Sequence, residues 1–539
     1  MHSPVAQLAE RPTVNRKVTG SSPFGGAKDK ESVFSSVRIR ILLFSTENIF
    51  ADPWLQISAW LYARRMDWLA AEDYVIAREI LQPGVALIYL LAFLSTLNQF
   101  RALAGEHGLL PVPRFLANAQ NLGPTLFSRF GYSDRKLVAA CALGTFLSLV
   151  LIAGVPQLGP PWLPTIAFLM LWGLYMSIVN VGQVFYGFGW EMLLLEAGFT
   201  VGFLRSHQIP PPHSILWLIA WLVFRLEFGA GMIKWRGDPV WRNLTAMFYH
   251  HQTQPMPGPF SRYAHLAPPW WHRCETAGNH GVQLVIPFFL FAPQPIASLA
   301  AVIIIATQLW LVLTGNFAWL NWLTIVLASS RISDSAWAWM LPWIPTHNVA
   351  NIKAPIWWTT LVLASSLLLA LLSIPALRNL FFSGQLMNAA FKRWQLGNAY
   401  GAFGSMTRER IEIIIEGTEA ESPQVARWIE YEFKGKPGDV ALRSRQIAPY
   451  HLRLDWMMWF LPLGSITQRW FRVLLARLLE ADPSILALLS NDPFEGRAPR
   501  YVRVLTYRYR FATAEQHRAT GAVWVRDQQT FVAGPLSSQ

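Results

Sequence analysis

The sequence is short of charged residues, and the shortage is local. Only 14% of its 539 residues are charged, whereas a soluble globular chain carries roughly 25%. Residues 66–383 hold 16 Lys and Arg and 12 Asp and Glu, while the shorter stretch 384–539 holds 20 and 15. This division excludes a single soluble domain. It predicts a polytopic membrane domain over residues 66–383 and a soluble domain over 384–539.

The sequence also lacks several motifs that would assign chemistry. Its two cysteines, Cys141 in an apolar run and Cys274 in a polar loop, form neither a disulfide framework nor a CxxC redox pair. No phosphate loop, nucleophile elbow or dinucleotide fingerprint is present, so we expect no cofactor. The net charge of +13 fits topology anchors and contacts with membrane lipid, and we expect no nucleic-acid partner.

The first 65 residues stand apart from the rest of the chain. They include SPVAQLAERPTVNRKVTGSSP and show neither a helical nor a strand period. They also lack the order of regions that defines a signal peptide. The stretch resembles a peptide translated by mistake from a stable-RNA gene. We therefore expect the biological start at Met66, with residues 1–65 an unstructured or misassigned extension.

Nine apolar runs predict a mainly α membrane domain. Six approach or reach the roughly 20 residues that span a bilayer: Ile80–Leu97, Leu137–Gly154, Trp162–Val181, Ile215–Ile233, Ile296–Thr314 and Ile356–Ser373. Three shorter runs suit half-helices or tilted helices buried among others: Trp190–Leu204, Gly281–Phe291 and Phe317–Ser330. The prediction is about nine membrane segments.

Counting nine segments places the large loops 98–136 and 234–280 on the same side of the membrane as residues 384–539. The many basic residues of the two loops favour the cytoplasm for that side, but this tendency weakens in long loops. Composition therefore leaves the orientation open.

The C-terminal residues predict a domain of α+β or β-sandwich-like class. Alternating apolar residues predict strands at 410–417, 426–434, 501–511 and 522–532. Between the second and third strands, Trp470–Leu479 and Pro483–Leu489 have the pattern of helices. Roughly 150 residues are enough for an independent core.

Two charges lie inside the apolar run ILWLIAWLVFRLEFGAGMIK, at Arg225 and Glu227. A charge near the middle of a membrane costs at least about 2.5–3.5 kcal/mol. Two positions apart on a helix, the side chains point about 200° apart and cannot pair with each other. We expect Arg225 to pair with Glu191 or Glu196 of WEMLLLEAGF, either as a structural ion pair or as part of a site.

The stretch FGAGMIKWRGDPVWRN ends that helix and begins the second large loop. Lys234 is either a snorkelling lysine beside an interfacial tryptophan, Trp235, or a base or anion-binding residue in a pocket with Asp238. Both hypotheses stay open. The membrane-side candidates for a site are Lys234, Glu191, Glu196, Arg225, Glu227 and Asp238.

The loop that follows contains five histidines but no HxH, HExxH or Cys/His spacing, so we predict no metal site. Its prolines and tryptophans instead predict an amphipathic lid on the membrane surface. With the turn GEHGLLP, it supplies the candidates for a client or loop site: Glu106, His107, His250, His251, Trp270, Trp271, Glu275, Asn279 and His280.

The region from Arg225 to His280 resembles the signature of the lipase maturation factor family. Further stretches resemble it too: GEHGLLPV, GWEMLLLEAGF, GNFAWLNWLTI, NAYGAFGSMTRERIEIIIEG, YEFKGKPGD, APYHLRLDWMMWF and LSNDPFEGRAPRYVRVLTYRYRF. The similarity runs from Asp73 to Phe511 and implies a polytopic membrane protein that helps secreted lipases or other exported proteins to fold.

The same resemblance implies a location. Animal members act in the endoplasmic reticulum membrane, and a bacterial member would lie in the inner membrane. The large loops and the C-terminal domain would then be exoplasmic, and the C-terminal strands would offer an edge or groove to an unfolded client.

A more distant resemblance concerns Ala230, Gly231, Lys234 and Trp241, which look like the membrane core of vitamin K-dependent γ-glutamyl carboxylase. In that family the matching lysine is a catalytic base. The family also carries an Asn-His pair after a tryptophan, where this chain has Trp190-Glu191-Met192. The missing histidine argues against carboxylation.

Three hypotheses follow, in order of preference. The first is a membrane folding factor for exported enzymes, with no chemistry of its own. The second is a membrane enzyme with Lys234 as base and the buried charges around it. The third is a transporter, which the lack of a visible internal repeat disfavours.

Overall fold

A computed structural model describes residues 69–343 and 354–538. The predicted extension, residues 1–65, lies outside these ranges. The described residues before position 382 are almost wholly helical, and those after it combine helices with one sheet. This division follows the change in charge density along the sequence.

Five helices are long and apolar enough to cross a membrane. They are Glu72–Ala104, Asp134–Ile152, His213–Arg236, Ile296–Thr314 and Ile356–Phe381. A sixth apolar helix, Leu163–Val179, has 17 residues, which is at the short end of what a bilayer requires. The six longer predicted segments are therefore helical, and five of them have spanning length.

The three shorter predicted segments do not reach spanning length. Gly189–Val201 has 13 residues and Leu320–Ala328 has nine. The predicted run Gly281–Phe291 is divided between the helices Pro269–Leu284 and Ile286–Phe289. The break falls where Pro287 lacks an N–H to continue the helix. Nine spanning segments are thus not confirmed.

The remaining helices are short and lie in the loops and the C-terminal region. They are Val112–Asn118, Leu126–Phe130, Pro239–Arg242, Met247–Thr253, Ser261–His265, Asp334–Met340, Arg453–Phe460, Arg469–Leu479, Pro483–Leu486 and Ala514–Thr520.

The C-terminal region contains one antiparallel sheet in the order β2-β1-β3-β4. Its strands are β1 (Arg410–Thr418), β2 (Ile429–Glu430), β3 (Tyr501–Phe511) and β4 (Trp524–Leu536). Three predicted strands and the α+β class are confirmed. The segment predicted at 426–434 pairs over only two residues. A sandwich is not confirmed, because residues 384–538 form this one sheet.

The C-terminal region packs into the helical bundle through a buried ion pair. The guanidinium of Arg453 lies 2.5 Å from the carboxylate of Glu191 and 3.5 Å from the ring centroid of Tyr186. Both charged side chains are completely buried. The carboxylate of Glu191 also accepts a hydrogen bond from the Tyr175 hydroxyl. The pair therefore joins the helices Gly189–Val201 and Arg453–Phe460.

Two amide side chains of the bundle add hydrogen bonds to the same region. The Gln99 amide donates to His451 O at 2.7 Å and accepts from Arg453 N at 2.9 Å. Asn316 accepts from the backbone amides of Ile447 and Ala448 at 2.7 and 2.8 Å. Gln99 of the first long helix and Asn316, which lies between the helices Ile296–Thr314 and Leu320–Ala328, thus satisfy backbone groups of the C-terminal region.

We predict that Arg453→Met lowers the free energy of unfolding by about 3–5 kcal/mol, because it leaves Glu191 buried without its counter-charge. The double variant Glu191→Gln with Arg453→Met recovers most of that loss. Arg500→Met is the control: its pair with Glu421 is largely exposed, so the change stays below about 1 kcal/mol. Denaturant unfolding of the purified protein in detergent measures all three. Equal effects of Arg453→Met and Arg500→Met would contradict the prediction.

Candidate functional site

The helix His213–Arg236 carries both a structural ion pair and a polar cluster. Arg225 pairs with Glu196, one of the two glutamates predicted for it, and both are buried. The guanidinium also donates to Asn398 O at 2.7 Å. The Glu196 carboxylate accepts from Asn398 N at 3.1 Å and from the Tyr400 hydroxyl at 2.8 Å. This pair therefore fixes an extended C-terminal segment against the helix.

Lys234 points into the protein and not toward the membrane surface. Its side chain is buried, and its Nζ donates to Asn279 Oδ1 at 3.0 Å and to Gln283 Oε1 at 2.9 Å. The ammonium also lies 4.8 Å from the ring centroid of Trp241. The side chain of the neighbouring Trp235, by contrast, is exposed.

Glu227 continues the polar cluster from the same helix. It lies seven positions before Lys234, so both side chains are on one face. Its carboxylate accepts from Gln283 Nε2 at 3.2 Å and from Gln308 Nε2 at 2.6 Å. The Gln308 side chain in turn accepts from Asn321 Nδ2 at 2.8 Å. Two buried charges are thus joined through neutral amides.

A cavity of about 570 Å³ lies against this cluster, within the size range of small-molecule sites. Lys234, Glu227, Gln283, Gln308 and Asn321 all line it. Its remaining walls are mostly apolar and aromatic, and include Phe188, Trp190, Trp241, Phe317, Phe403, Trp456 and Trp459. An apolar chamber with a few convergent polar groups is the usual form of a ligand site.

The C-terminal region supplies a wall of the cavity, which the sequence alone did not indicate. Residues 400–407 line it in one run. This run approaches the helix His213–Arg236 closely: Asp238 N donates to Gly404 O at 2.9 Å, and a Cβ on Gly237 would lie 2.2 Å from that oxygen. In the sequence, the glycines of NAYGAFGSM were the feature that could have indicated this close approach.

Asp238 lies outside the lining of the cavity. Both of its carboxylate oxygens accept from Arg408, each at 2.8 Å, and one also caps the helix Pro239–Arg242 through Val240 N at 3.2 Å. The hydrogen bonds from Arg408 hold the pKa of Asp238 below its ordinary value. The carboxylate of Asp238 therefore stabilises the start of the loop, and it does not form a pocket with Lys234.

Three histidines of the loop, His250, His251 and His280, have different partners. His250 lines the cavity, and burial lowers the pKa of its imidazole well below the ordinary value, so the ring is neutral. His251 contacts Glu275, with 3.0 Å between Nε2 and Oε2. His280 contacts Trp241 O through Nε2 at 3.0 Å.

The other predicted residues are not brought to the cavity. Glu106 and His107 are exposed at the turn after the first long helix, where His107 O accepts from Arg477 at 3.1 Å. Trp270 and Trp271 are exposed on the helix Pro269–Leu284. Glu191 belongs to the ion pair with Arg453. Of the predicted site residues, the cavity is lined by Glu227, Lys234, His250 and Asn279.

The fold and the site together define a polytopic helical membrane protein whose C-terminal α+β region forms one wall of a mostly apolar cavity with a few buried polar side chains. The profile of the lipase maturation factor transmembrane domain matches residues 76–339, and that of the lipase maturation factor C-terminal domain matches residues 396–533. The chain belongs to the lipase maturation factor family.

Curated relatives support the same assignment. Lipase maturation factor 1 of Mus musculus is 39% identical over 498 residues, which cover 84% of this chain and 85% of the relative. Lipase maturation factor 1 of Homo sapiens is 38% identical, covering 86% and 88%. Lipase maturation factor 2 of Rattus norvegicus is 29% identical, covering 84% and 82%. No solved structure matches the chain.

We predict that Lys234→Met changes the free energy of unfolding by at most about 1.5 kcal/mol, since removing a desolvated charge offsets the loss of two hydrogen bonds. Arg225→Met, on the same helix, lowers it by about 3–5 kcal/mol because Glu196 then stays buried and unpaired. Unfolding of both variants in mixed detergent micelles tests the contrast. A destabilisation of Lys234→Met as large as that of Arg225→Met would mean that Lys234 is structural.

Proposed function

We propose that this chain is an integral membrane maturation factor that assists the folding or assembly of secreted lipases. The observation that carries the proposal is the 39% identity to lipase maturation factor 1, spread over 84% of the chain. The spanning helices place the protein in a membrane, and its partners are membrane lipid and an exported client, a lipase in the first instance.

The large loops and the C-terminal region act on one side of the membrane. Contacts among them support this: Arg262 of the second loop donates to Ala512 O at 2.9 Å, and His107 O of the first loop accepts from Arg477. An even number of crossings must then separate the two loops. The long helices Asp134–Ile152 and His213–Arg236 meet this requirement with or without the two shorter helices between them, Leu163–Val179 and Gly189–Val201. The proposal of nine membrane segments therefore rests on the nine apolar runs of the sequence.

We assign that side to the exoplasm, where secreted lipases fold. This is the lumen of the endoplasmic reticulum, or the periplasm if the protein lies in a bacterial inner membrane. The exposed Trp270 and Trp271 suit the membrane interface at this side, since tryptophan is enriched there.

Strand β4 is the surface that we assign to the client. It is an edge of the sheet, and most of its residues are at least partly exposed, including Phe531 at 58%. An edge strand presents unpaired backbone groups to which an extended segment of another chain can add. An unfolded lipase segment would gain backbone hydrogen bonds there without a sequence-specific pocket.

We predict that Phe531→Lys lowers the yield of active secreted lipase, because a lysine on an edge strand discourages strand addition. The measurement is lipase activity per unit of lipase protein, in a host that lacks its own maturation factor and is complemented with wild type, variant or empty vector. Val425→Lys, at a still more exposed loop position, is the control for added charge and should rescue fully. Full rescue by Phe531→Lys at normal protein level would remove β4 from the proposal.

A second candidate function is a membrane enzyme that uses Lys234 as a base or an anion-binding group. The observation that favours it is that Lys234 lines the cavity and is held by neutral amides. Such a lysine keeps an available charge or lone pair for a bound molecule.

The same complementation assay separates the two candidates. If the protein acts only by holding its client, Lys234→Met rescues lipase activity as well as wild type does. Rescue by wild type alone, with Lys234→Met present at normal level in the membrane, would put the enzyme hypothesis first. Because the folding role predicts rescue, the two hypotheses have opposite outcomes.

A further inference from the structure

Folding brings three potential metal ligands together beside the cavity. His251 lies on the helix Met247–Thr253, and His272 and Glu275 lie one turn apart on the helix Pro269–Leu284. One ligand atom from each falls within 4.8 Å of the other two. Both histidines are buried, and the glutamate side chain is 12% exposed. Their spacing along the chain matches no HxH, HExxH or Cys/His zinc motif.

The hydrogen bonds around His272 leave one of its nitrogens available. Its Nε2 lies 3.2 Å from His265 O. A carbonyl oxygen only accepts, so Nε2 carries the hydrogen and Nδ1 carries the lone pair. Among the described residues this buried Nδ1 has no hydrogen-bond partner. A histidine that donates one N–H to a backbone carbonyl and keeps its other, buried nitrogen without a partner can serve as a metal ligand.

Glu275, like His272, is held by a hydrogen bond to a neighbouring residue. Its Oε1 accepts from Trp310 Nε1 at 2.6 Å, and its Oε2 lies 3.0 Å from His251 Nε2. Two ligands that are each about 2.0–2.2 Å from a tetrahedral zinc ion are roughly 3.3 Å apart. The His251 and Glu275 atoms therefore need to separate only slightly to share an ion. Binding would release the proton that now lies between them.

We propose that His251, His272 and Glu275 bind one divalent transition-metal ion, and that zinc is the preferred ion. Two imidazole nitrogens and one carboxylate oxygen form a ligand set that zinc proteins use, with a fourth position for water. The ion would join the two ends of the loop 234–280. It would also order the cavity wall, since His250 adjoins His251 and Asn279 lies one turn beyond Glu275. The proposal does not depend on the client or on the chemistry at Lys234.

The test uses the full-length protein in detergent micelles, without a polyhistidine tag and after removal of metal with a chelator. We expect wild type to bind one zinc ion per chain, measured by elemental analysis after equilibration with zinc and gel filtration. Cobalt(II) added instead should give the visible absorption bands of a four-coordinate site. Zinc should also raise the thermal unfolding midpoint of wild type, because a ligand that binds only the folded state stabilises it.

Two variants and a control assign the site. His272→Ala and Glu275→Gln should each lower zinc affinity by at least about tenfold and abolish the thermal shift. Glu275→Gln retains an oxygen for Trp310 and keeps the fold testable, and its gel-filtration profile should match that of wild type. His107→Ala, at an exposed histidine, should bind zinc as wild type does. Absence of bound zinc in wild type, or equal binding by wild type and Glu275→Gln, would overturn the proposal.

Discussion

Two buried carboxylates of the short helix Gly189–Val201 hold the C-terminal region against the membrane helices. Glu191 and Glu196 lie five positions apart and point about 140° apart around the helix, so each meets a different arginine. Arg453 comes from the C-terminal region and Arg225 from a spanning helix. A buried charge without its partner is far more costly than a buried pair. The bundle and the C-terminal region therefore provide counter-charges for each other.

The cavity depends on this arrangement. Glu196 and Arg225 also bind Asn398 and Tyr400, and the segment that continues from Tyr400 forms a wall of the cavity. Loosening the ion pair would therefore open the cavity as well as weaken the fold. The boundary near Gly384, which we infer from composition, marks a change in charge density, and the chain on both sides of it contributes to one packed unit.

Sequence reasoning succeeded where one physical rule left few choices. Arg225 had to find a carboxylate in an apolar surrounding, so a pair with one of the two glutamates of WEMLLLEAGF could be predicted, and the structure shows that it is Glu196. The alternating strands could be predicted for the same reason. The pair of Glu191 with Arg453 and the grouping of His251 with His272 could not, because neither helical period nor motif spacing encodes which distant segments meet. Those contacts follow from the tertiary packing alone.

Lys234 and Glu227 differ from the two ion pairs because their charged groups are joined through a neutral side chain. This separation does not add to the stability of the fold. Direct contact would offset the desolvation of both charges, yet Gln283 stands between them and bonds to each. Neutral amides compensate a charge only partly, so the arrangement keeps an ammonium and a carboxylate beside the cavity at a cost in stability. Apolar residues of similar volume would fill the space more favourably. Packing alone therefore does not account for the two charges.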